Sequence, residues 1–547
     1  MLNQKIQKFL NNRRLKEGVI LSFLLIIFGW FFFRNLAMWP DPNDPLEYIE
    51  PSVWKTFIGG YYPWIDRLVI ADGIRFFSLI LRPELAGAVY FGLVSFLILI
   101  LATLWAYLKK GFWSGFLVGL FLVISYPLVR YANYGYPDAT VALFGLLAAI
   151  FYLRTKKSPG SIYLVGLFTG LAIFSKITGL AFFLFFLGDI IAAKKYVDLK
   201  PYFVGLISAV AFILIATGLL FDWASVSSVI HSIGTNVSSN VESRAVLRSV
   251  GNILWPEICL PAYLALIVFR GAYRNELITK IFSISWTFIG FFLVLFVFST
   301  HVKVYPHYLY SAYLFASIGM TFYLAELSKS FKKQYLVSLI SLILIVAGFS
   351  LGIWQARYFE GLKIYFDGFT HLVAPLWLKI TYIGFTVLAA AMILAIGKTR
   401  RQSLIIAFII FSSLSGSYFV AGSAMYTIKS QKDAAKVVYD YAHAISETPR
   451  VKTVIVSKAI NRESFPRVLW VYRLFFDHKY DRGSRVINKA ETDADIRQID
   501  KADLGSFQWD YLITDDQNAV KFDIPNLREI QQPSPQIFIF SKDVPKS

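Results

Sequence analysis

The chain is poor in cysteine and in charge. Cys259 is the single cysteine among 547 residues, so no disulfide can close within the chain, and any part outside the membrane must fold without one. Asp, Glu, Lys and Arg make up 16% of residues, well below the roughly 25% of an ordinary soluble domain. Acids are the scarcer sign, 35 against 54 basic residues, which leaves a formal net charge of +19. What fills the space excludes a soluble globular chain: 56% of residues are hydrophobic, 17% are aromatic, and the mean hydropathy is +0.56.

A helix crosses the hydrocarbon with about 20 apolar residues, because each backbone N–H and C=O must be paired within the segment. Such runs lie near residues 18–37, 86–108, 112–129, 138–153, 161–174, 178–193, 202–221, 257–269, 281–300, 305–325, 335–354, 374–396 and 402–421. The pattern predicts a multi-span α-helical membrane protein of about 13 transmembrane helices. The runs 161–174 and 257–269 are short, which suits tilted, broken or partly re-entrant segments.

Every second loop is basic. Lys5, Lys8, Arg13, Arg14 and Lys16 precede the first run; Lys109 and Lys110, then Arg154, Lys156 and Lys157, then Lys194 and Lys195 follow in alternate loops. Arg270, Arg274 and Lys280, then Lys329, Lys332 and Lys333, then Lys398, Arg400 and Arg401 complete the series. Under the positive-inside rule these loops and the N-terminus are cytoplasmic, so much of the net charge sets topology and nucleic acid is not the expected partner. The remaining loops, and everything after about residue 422, are then extracytoplasmic. The first run ends in bulky aromatics rather than a small-residue cleavage site, so it is read as a retained helix in a cell membrane, a setting that fits a prokaryote.

The chain divides on this reading into a polytopic region, 1–421, and an extracytoplasmic α/β domain, 422–547. In the latter, "VKTVIVS", "SRVIN", "WDYLITDD", "NLREIQQ" and "PQIFIFSK" read as short strands. No Gly-rich phosphate loop or metal-spaced Cys/His cluster is found in it, which fits a packing or acceptor-docking module.

Chemistry-bearing residues gather on the outer side. The first outer loop, 38–85, carries "MWPDPNDPLEYIEP" and then a stretch mixing aromatics with Lys55, Asp66, Arg67, Asp72 and Arg75, as interfacial helices do. Asp138 stands at the mouth of the fourth run in "YPDA", with Arg130 just before it. Lys176 lies in a tight turn in "GLAIFSKITGL", and His301, Lys303 and His307 precede the tenth run in "HVKVYPHYLY".

Taken in this order and on this side, those motifs resemble the dolichyl-phosphate-mannose protein mannosyltransferase-like group, glycosyltransferase family 39. More broadly they resemble the GT-C superfamily, which includes the lipid A aminoarabinose transferases. The resemblance covers roughly the first 325 residues. It implies an inverting glycosyltransferase that moves a sugar from a polyprenyl-phosphate donor to an acceptor hydroxyl on the outer face. The acceptor is a protein, a lipid or a glycan.

Such a transfer needs a carboxylate to take the acceptor's proton and a metal or fixed cations to meet the leaving phosphate. The resemblance points to Asp44 as the base, with Glu47 and Asp41 as rivals, because many relatives carry an adjacent Asp-Glu pair where this chain has D-P-N-D-P-L-E. Asp41 and Asp44, each followed by Pro, also suit turns or caps. Asp138 takes the role of the second-loop acid, which binds a divalent metal (Mg²⁺ or Mn²⁺) or orients the base, with Glu47 as a second metal ligand. As a helix-start Asp it also suits a cap. Lys176 is a candidate for the carrier phosphate, or a snorkelling cation. His301, Lys303, His307 and Arg130 are candidates for phosphate or acceptor, or for interfacial anchoring beside Tyr305 and Tyr308. The 13 Trp and 50 Phe are explained by lipid contact and interfacial belts. The rival classes are a polytopic transporter, which should carry central charges or repeated halves, and a non-catalytic GT-C relative that binds a carrier lipid.

Overall fold

The computed structural model describes residues 13–35, 67–81, 83–125, 137–154, 160–221, 275–298, 306–329, 331–358, 400–418 and 420–422, with short strands between 365 and 542. Its helices are α1 (Arg13–Asn35), α2 (Leu68–Ser78), α3 (Pro83–Lys110), α4 (Phe112–Val123), α5 (Pro137–Tyr152), α6 (Ser161–Ser175), α7 (Leu180–Ala192), α8 (Leu199–Leu220), α9 (Glu276–Phe298), α10 (Tyr310–Leu327), α11 (Gln334–Tyr358) and α12 (Arg400–Gly422). Three short 3-10 turns, Ile177–Gly179, Tyr196–Asp198 and Pro306–Leu309, join α6 to α7, α7 to α8, and lead into α10.

Helices coincide with the predicted runs except 257–269, which lies outside the described residues, and 374–396, nearly all of which does. Among the described residues four helical segments are long and apolar enough to cross a membrane: Ala86–Lys110, Tyr196–Leu220, Gln334–Gln355 and Arg400–Gly422. Shorter apolar helices fill the interior. Within the run 112–129 helix α4 ends at Val123, and residues 126–129 lie outside the described residues. Every residue of α4 is buried, which its all-round apolar sequence requires.

The outer helices are apolar on both faces, the signature of a lipid solvent. In α8, Tyr202, Gly205, Ala209, Ile213 and Thr217 face the protein at three- and four-residue spacing. The opposite face exposes Phe203, Val204, Ile207, Phe212, Ile215 and Leu219. In water that stripe would be charged; in hydrocarbon it is solvated.

Close packing of α6 on α8 comes from glycine. A Cβ on Gly166 would lie 1.9 Å from the Tyr202 carbonyl oxygen, and one on Gly205 would lie 2.0 Å from that of Tyr163. Gly166 and Gly170 in α6, facing Gly205 and Ala209 in α8, form a small-xxx-small interface that lets the backbones touch.

Helix ends sort into two groups. At one end Lys110 pairs with Glu326 (2.8 Å) and Lys280 with Asp189 (2.9 Å), while the Tyr107 and Tyr335 hydroxyls each donate to Glu17 (3.0 Å). At the other, Asp138 meets Lys176, the Thr217 hydroxyl meets Asp72, and Arg75 Nε donates to the Leu220 carbonyl at 2.9 Å. Lys110 and Lys280, both from the basic loops of the sequence, belong to the first group. The first-loop helix α2 packs at the second end, with Leu68, Ile70, Ala71, Asp72 and Ile74 buried and Phe76, Leu79 and Ile80 exposed.

Strands β1 (Tyr365–Asp367) and β2 (His371–Val373) form an antiparallel pair. Strands β3 (Val454–Val456), β4 (Val486–Ile487), β5 (Tyr511–Thr514), β6 (Leu527–Ser534) and β7 (Ile537–Lys542) form a mixed sheet in the order β4-β3-β5-β7-β6. β3 runs parallel to β4 and β5, and β7 antiparallel to β5 and β6. The five strands fall within, or overlap, the stretches read as strands from their β-branched and aromatic runs.

Candidate functional site

Asp138 and Lys176 come together from helices 38 residues apart in sequence. Asp138 occupies the first turn of α5, which opens on Pro137, a residue whose fixed φ suits a first helical position. Lys176 ends α6. Its backbone leaves the helix into extended conformation (φ −172°, ψ 147°), its N–H still donating to the Ala172 carbonyl at 3.2 Å and its own carbonyl accepting from Gly179 N–H at 2.8 Å. That turn closes only because residue 179 is glycine: a Cβ there would lie 2.4 Å from the Ala172 carbonyl carbon. The bend points the lysine across to α5.

Lys176 Nζ lies 3.0 Å from Asp138 Oδ1 and 2.8 Å from Oδ2. The pair is buried, with side-chain exposures of 5% and 2%. Lys176 therefore does not snorkel to water; it trades its hydration for one carboxylate and for the face of Tyr308, whose ring centroid is 4.0 Å from Nζ. Asp138 in turn spends both carboxylate oxygens on the ammonium.

A second buried cation, Arg67 at the N-cap of α2, lies close enough to act electrostatically on the Asp138 carboxylate, and Tyr310 of α10 is within the same range. Beside Lys176, the buried Thr178 hydroxyl has no hydrogen-bond partner among the described residues. A buried polar group left this way costs free energy, and a ligand atom is one way to recover it. Nearby in the same end of the bundle, Asp72 is buried and accepts from the Thr217 hydroxyl, with oxygens at 3.1 and 3.0 Å. Burial pushes the Asp72 carboxyl up to about 7, against the weaker downward pull of the Thr217 hydrogen bond.

Of the residues singled out in the sequence, the structure thus unites Asp138 and Lys176. Asp41, Asp44, Glu47, Arg130, His301 and Lys303 lie outside the described residues, as does the side chain of His307, whose backbone belongs to the Pro306–Leu309 turn. Sequence reasoning passed over Arg67 as one charge among several in an interfacial stretch and took Tyr308 for a membrane anchor. Neither has a motif; each acquires a role only by crossing to Lys176 and Asp138.

A divalent cation asks for several oxygen ligands. Among the described residues no group of three metal-ligating side chains exists, and the Asp138 carboxylate is already matched by an ammonium; Asp44 and Glu47 lie outside the described residues.

No protein-family model matches the chain, and no curated protein matches it in sequence. Solved structures do match in shape. ArnT from Cupriavidus metallidurans in the apo state superposes with a TM-score of 0.58 at 14% identity, over 96% of this chain and 98% of that one. The same protein bound to undecaprenyl phosphate gives 0.55 at 14% identity, over 97% and 98%. The arabinosyltransferase EmbB from Mycobacterium smegmatis is more distant, with a TM-score of 0.40 at 13% identity over 76% and 42%. The fold along nearly the whole chain is like that of ArnT, a lipid A aminoarabinose transferase and so of the kind that the motifs resemble.

Proposed function

We propose that this chain is an integral-membrane glycosyltransferase that takes a sugar from a polyprenyl-phosphate donor and passes it to an acceptor hydroxyl. The observation that carries the reading is the buried Asp138–Lys176 pair, set at the end of the helix bundle away from Lys110 and Lys280 in a chain with an ArnT-like fold; one ArnT structure holds undecaprenyl phosphate. A polyprenyl tail stays in the bilayer and presents its phosphate at headgroup depth. A lysine held there by a carboxylate and an aromatic face is positioned to meet it.

Lys176, with Arg67 nearby, would take up the negative charge that grows on the phosphate as the glycosidic bond breaks. Asp138 fixes the ammonium, and Thr178, whose hydroxyl has no partner among the described residues, offers it to a phosphate oxygen. Asp44, with Glu47 and Asp41 as rivals, would accept the acceptor's proton while the anomeric carbon is attacked from the opposite face, which inverts it. His301, Lys303, His307 and Arg130 are assigned to the same phosphate or to the acceptor. A Mg²⁺ or Mn²⁺ ion between Asp138 and Glu47 is the competing arrangement; it would require Lys176 to let go of Asp138.

The basic end of the bundle is cytoplasmic on this reading, and the Asp138 end extracytoplasmic, in a cell membrane. About 13 spans, and a domain built on the β3–β7 sheet outside the membrane, complete the proposal. A transporter would carry its ionisable groups near the bilayer midplane; Asp138 and Asp189 stand instead toward helix ends, and Asp72 lies on the short first-loop helix α2.

The test is sugar transfer or release from a panel of polyprenyl-phospho-sugars by the purified chain in nanodiscs, with and without EDTA. Turnover that survives EDTA and is lost in Asp44→Asn and in Lys176→Met supports the reading. Turnover abolished by EDTA moves the phosphate onto a metal. No turnover with any donor, in folded protein that still binds polyprenyl phosphate, leaves a carrier-lipid binder.

A further inference from the structure

At the opposite end of the bundle lies a second cationic site that sugar transfer does not use. A cleft of about 180 Å³ is lined by Lys109, Tyr152, Leu153, Lys195, Glu276, Leu277 and Lys280. It sits at the far end of α5 from Asp138, about 21 Å away along the helix by its 1.5 Å rise per residue. Four chain segments supply it: the end of α3, the end of α5, the link from α7 to α8, and the start of α9.

The site is built rather than incidental. Lys280 Nζ is held at 2.9 Å by Asp189 Oδ2 and stands 5.2 Å from the centroid of the Tyr152 ring, while the Tyr152 hydroxyl donates to the same Asp189 oxygen. Lys195 is placed by a backbone device. Helix α7 ends in a Schellman turn, with Lys195 N–H on the Ile190 carbonyl (3.0 Å) and Lys194 N–H on that of Ile191 (2.9 Å). The residue in left-handed conformation at that turn is Lys194, φ +54°, where glycine is the comfortable choice. Strain of this kind is tolerated where the neighbouring geometry is useful; here it sets Lys195 at the mouth of the cleft. Next to these lysines in the chain, Leu108, Tyr196 and Val197 are strongly exposed.

We propose that this cleft binds the headgroup phosphate of an anionic phospholipid at the membrane surface opposite the transfer site. Lys109, Lys195 and the Asp189-held Lys280 outnumber the single carboxylate of the lining, Glu276, and leave a net positive cleft that matches a phosphate diester. The exposed Leu108, Tyr196 and Val197 match the glycerol and upper acyl chains that a free phosphate lacks. The end of the bundle that collects the basic loops is where the positive-inside rule places anionic lipid. The inference stands whether or not the chain transfers sugar.

The experiment titrates the purified full-length chain in detergent with phosphatidylglycerol, with phosphatidylcholine of the same tails, and with inorganic phosphate. Retained lipid is read by native mass spectrometry and binding by thermal shift. Phosphatidylglycerol should bind in preference to phosphatidylcholine. Lys195→Gln should weaken it about fivefold, and Lys109→Gln with Lys195→Gln roughly 30-fold, following the typical attraction per basic residue near an anionic surface. Both lysines line an open cleft, so the variants should fold; circular dichroism and an unchanged Tm without lipid check that. Equal binding of the two lipids, or unchanged phosphatidylglycerol binding in the double variant, overturns the proposal. Inorganic phosphate competing at the same concentration overturns the lipid assignment in favour of a soluble anion.

Discussion

Removing either member of the Asp138–Lys176 pair should harm the fold more than removing both. At 2.8 Å and an effective dielectric of about 20, the attraction is about 6 kcal/mol, set against several kcal/mol of desolvation for each ion. The intact pair is then near balance. Asp138→Asn leaves an ammonium buried at 5% exposure without its carboxylate, and Lys176→Met leaves the reverse; each should cost about 3–5 kcal/mol. The double variant strands no charge and should cost less than the sum of the two by at least 2 kcal/mol, a coupling well beyond the usual scatter for independent sites. Thermal unfolding of the four proteins in one detergent, followed by intrinsic fluorescence, reads the cycle. Transfer activity separates structure from function, because the refolded double variant should remain inactive for want of the phosphate-binding lysine. Additive losses, within about 0.5 kcal/mol, would refute a coupled buried pair.

Other outcomes follow from single contacts. Gly166→Leu should lower the Tm sharply, since even a Cβ there would strike the Tyr202 carbonyl and overpacking costs about 1–3 kcal/mol or more. Gly188→Ala, which opens into space, serves as the control and should change little. Asp72 gives a pH signature: the folded chain holds its proton up to about 7, whereas the unfolded chain releases it near 3.8. The folded state thus binds more protons between these values, and the group's contribution to stability falls as pH rises from about 4 to about 7. Asp72→Asn cannot ionise but can still accept from Thr217, so its Tm relative to wild type should climb between pH 5 and pH 8; a constant difference would count against the buried acid. Glu47→Gln distinguishes the first-loop acids: slower transfer with unchanged EDTA insensitivity places Glu47 beside the base, and a large loss in Asp44→Asn at unchanged KM marks the base itself.

The membrane class, the positions of the helices and the alternation of basic loops were legible in the sequence because each depends on local composition. A backbone in hydrocarbon must pair with itself, so any apolar run of sufficient length becomes a helix wherever it falls. The GT-C likeness was legible from the order of "YPDA", "FSKITGL" and "YPHYLY", and the fold along the chain agrees with it. The strand stretches near the C-terminus were legible for the same local reason, although parallel pairing of β3 with β4 and β5 was not, since it joins segments far apart in sequence. Asp138 and Lys176 could be singled out, each with a cap or snorkelling alternative that no local pattern could decide.

Composition and short-range pattern thus determined a polytopic helical protein with its charges kept to its ends. Tertiary structure alone decided that Lys176 turns inward, because the glycine at 179 lets the chain bend and burial then demands a counter-ion. It likewise decided that Tyr308 is a cation's partner, that Arg67 stands near Asp138, and that Lys109, Lys195 and Lys280 share one cleft. A side chain's solvation is fixed by what crosses to it from distant helices, and that cannot be read one segment at a time.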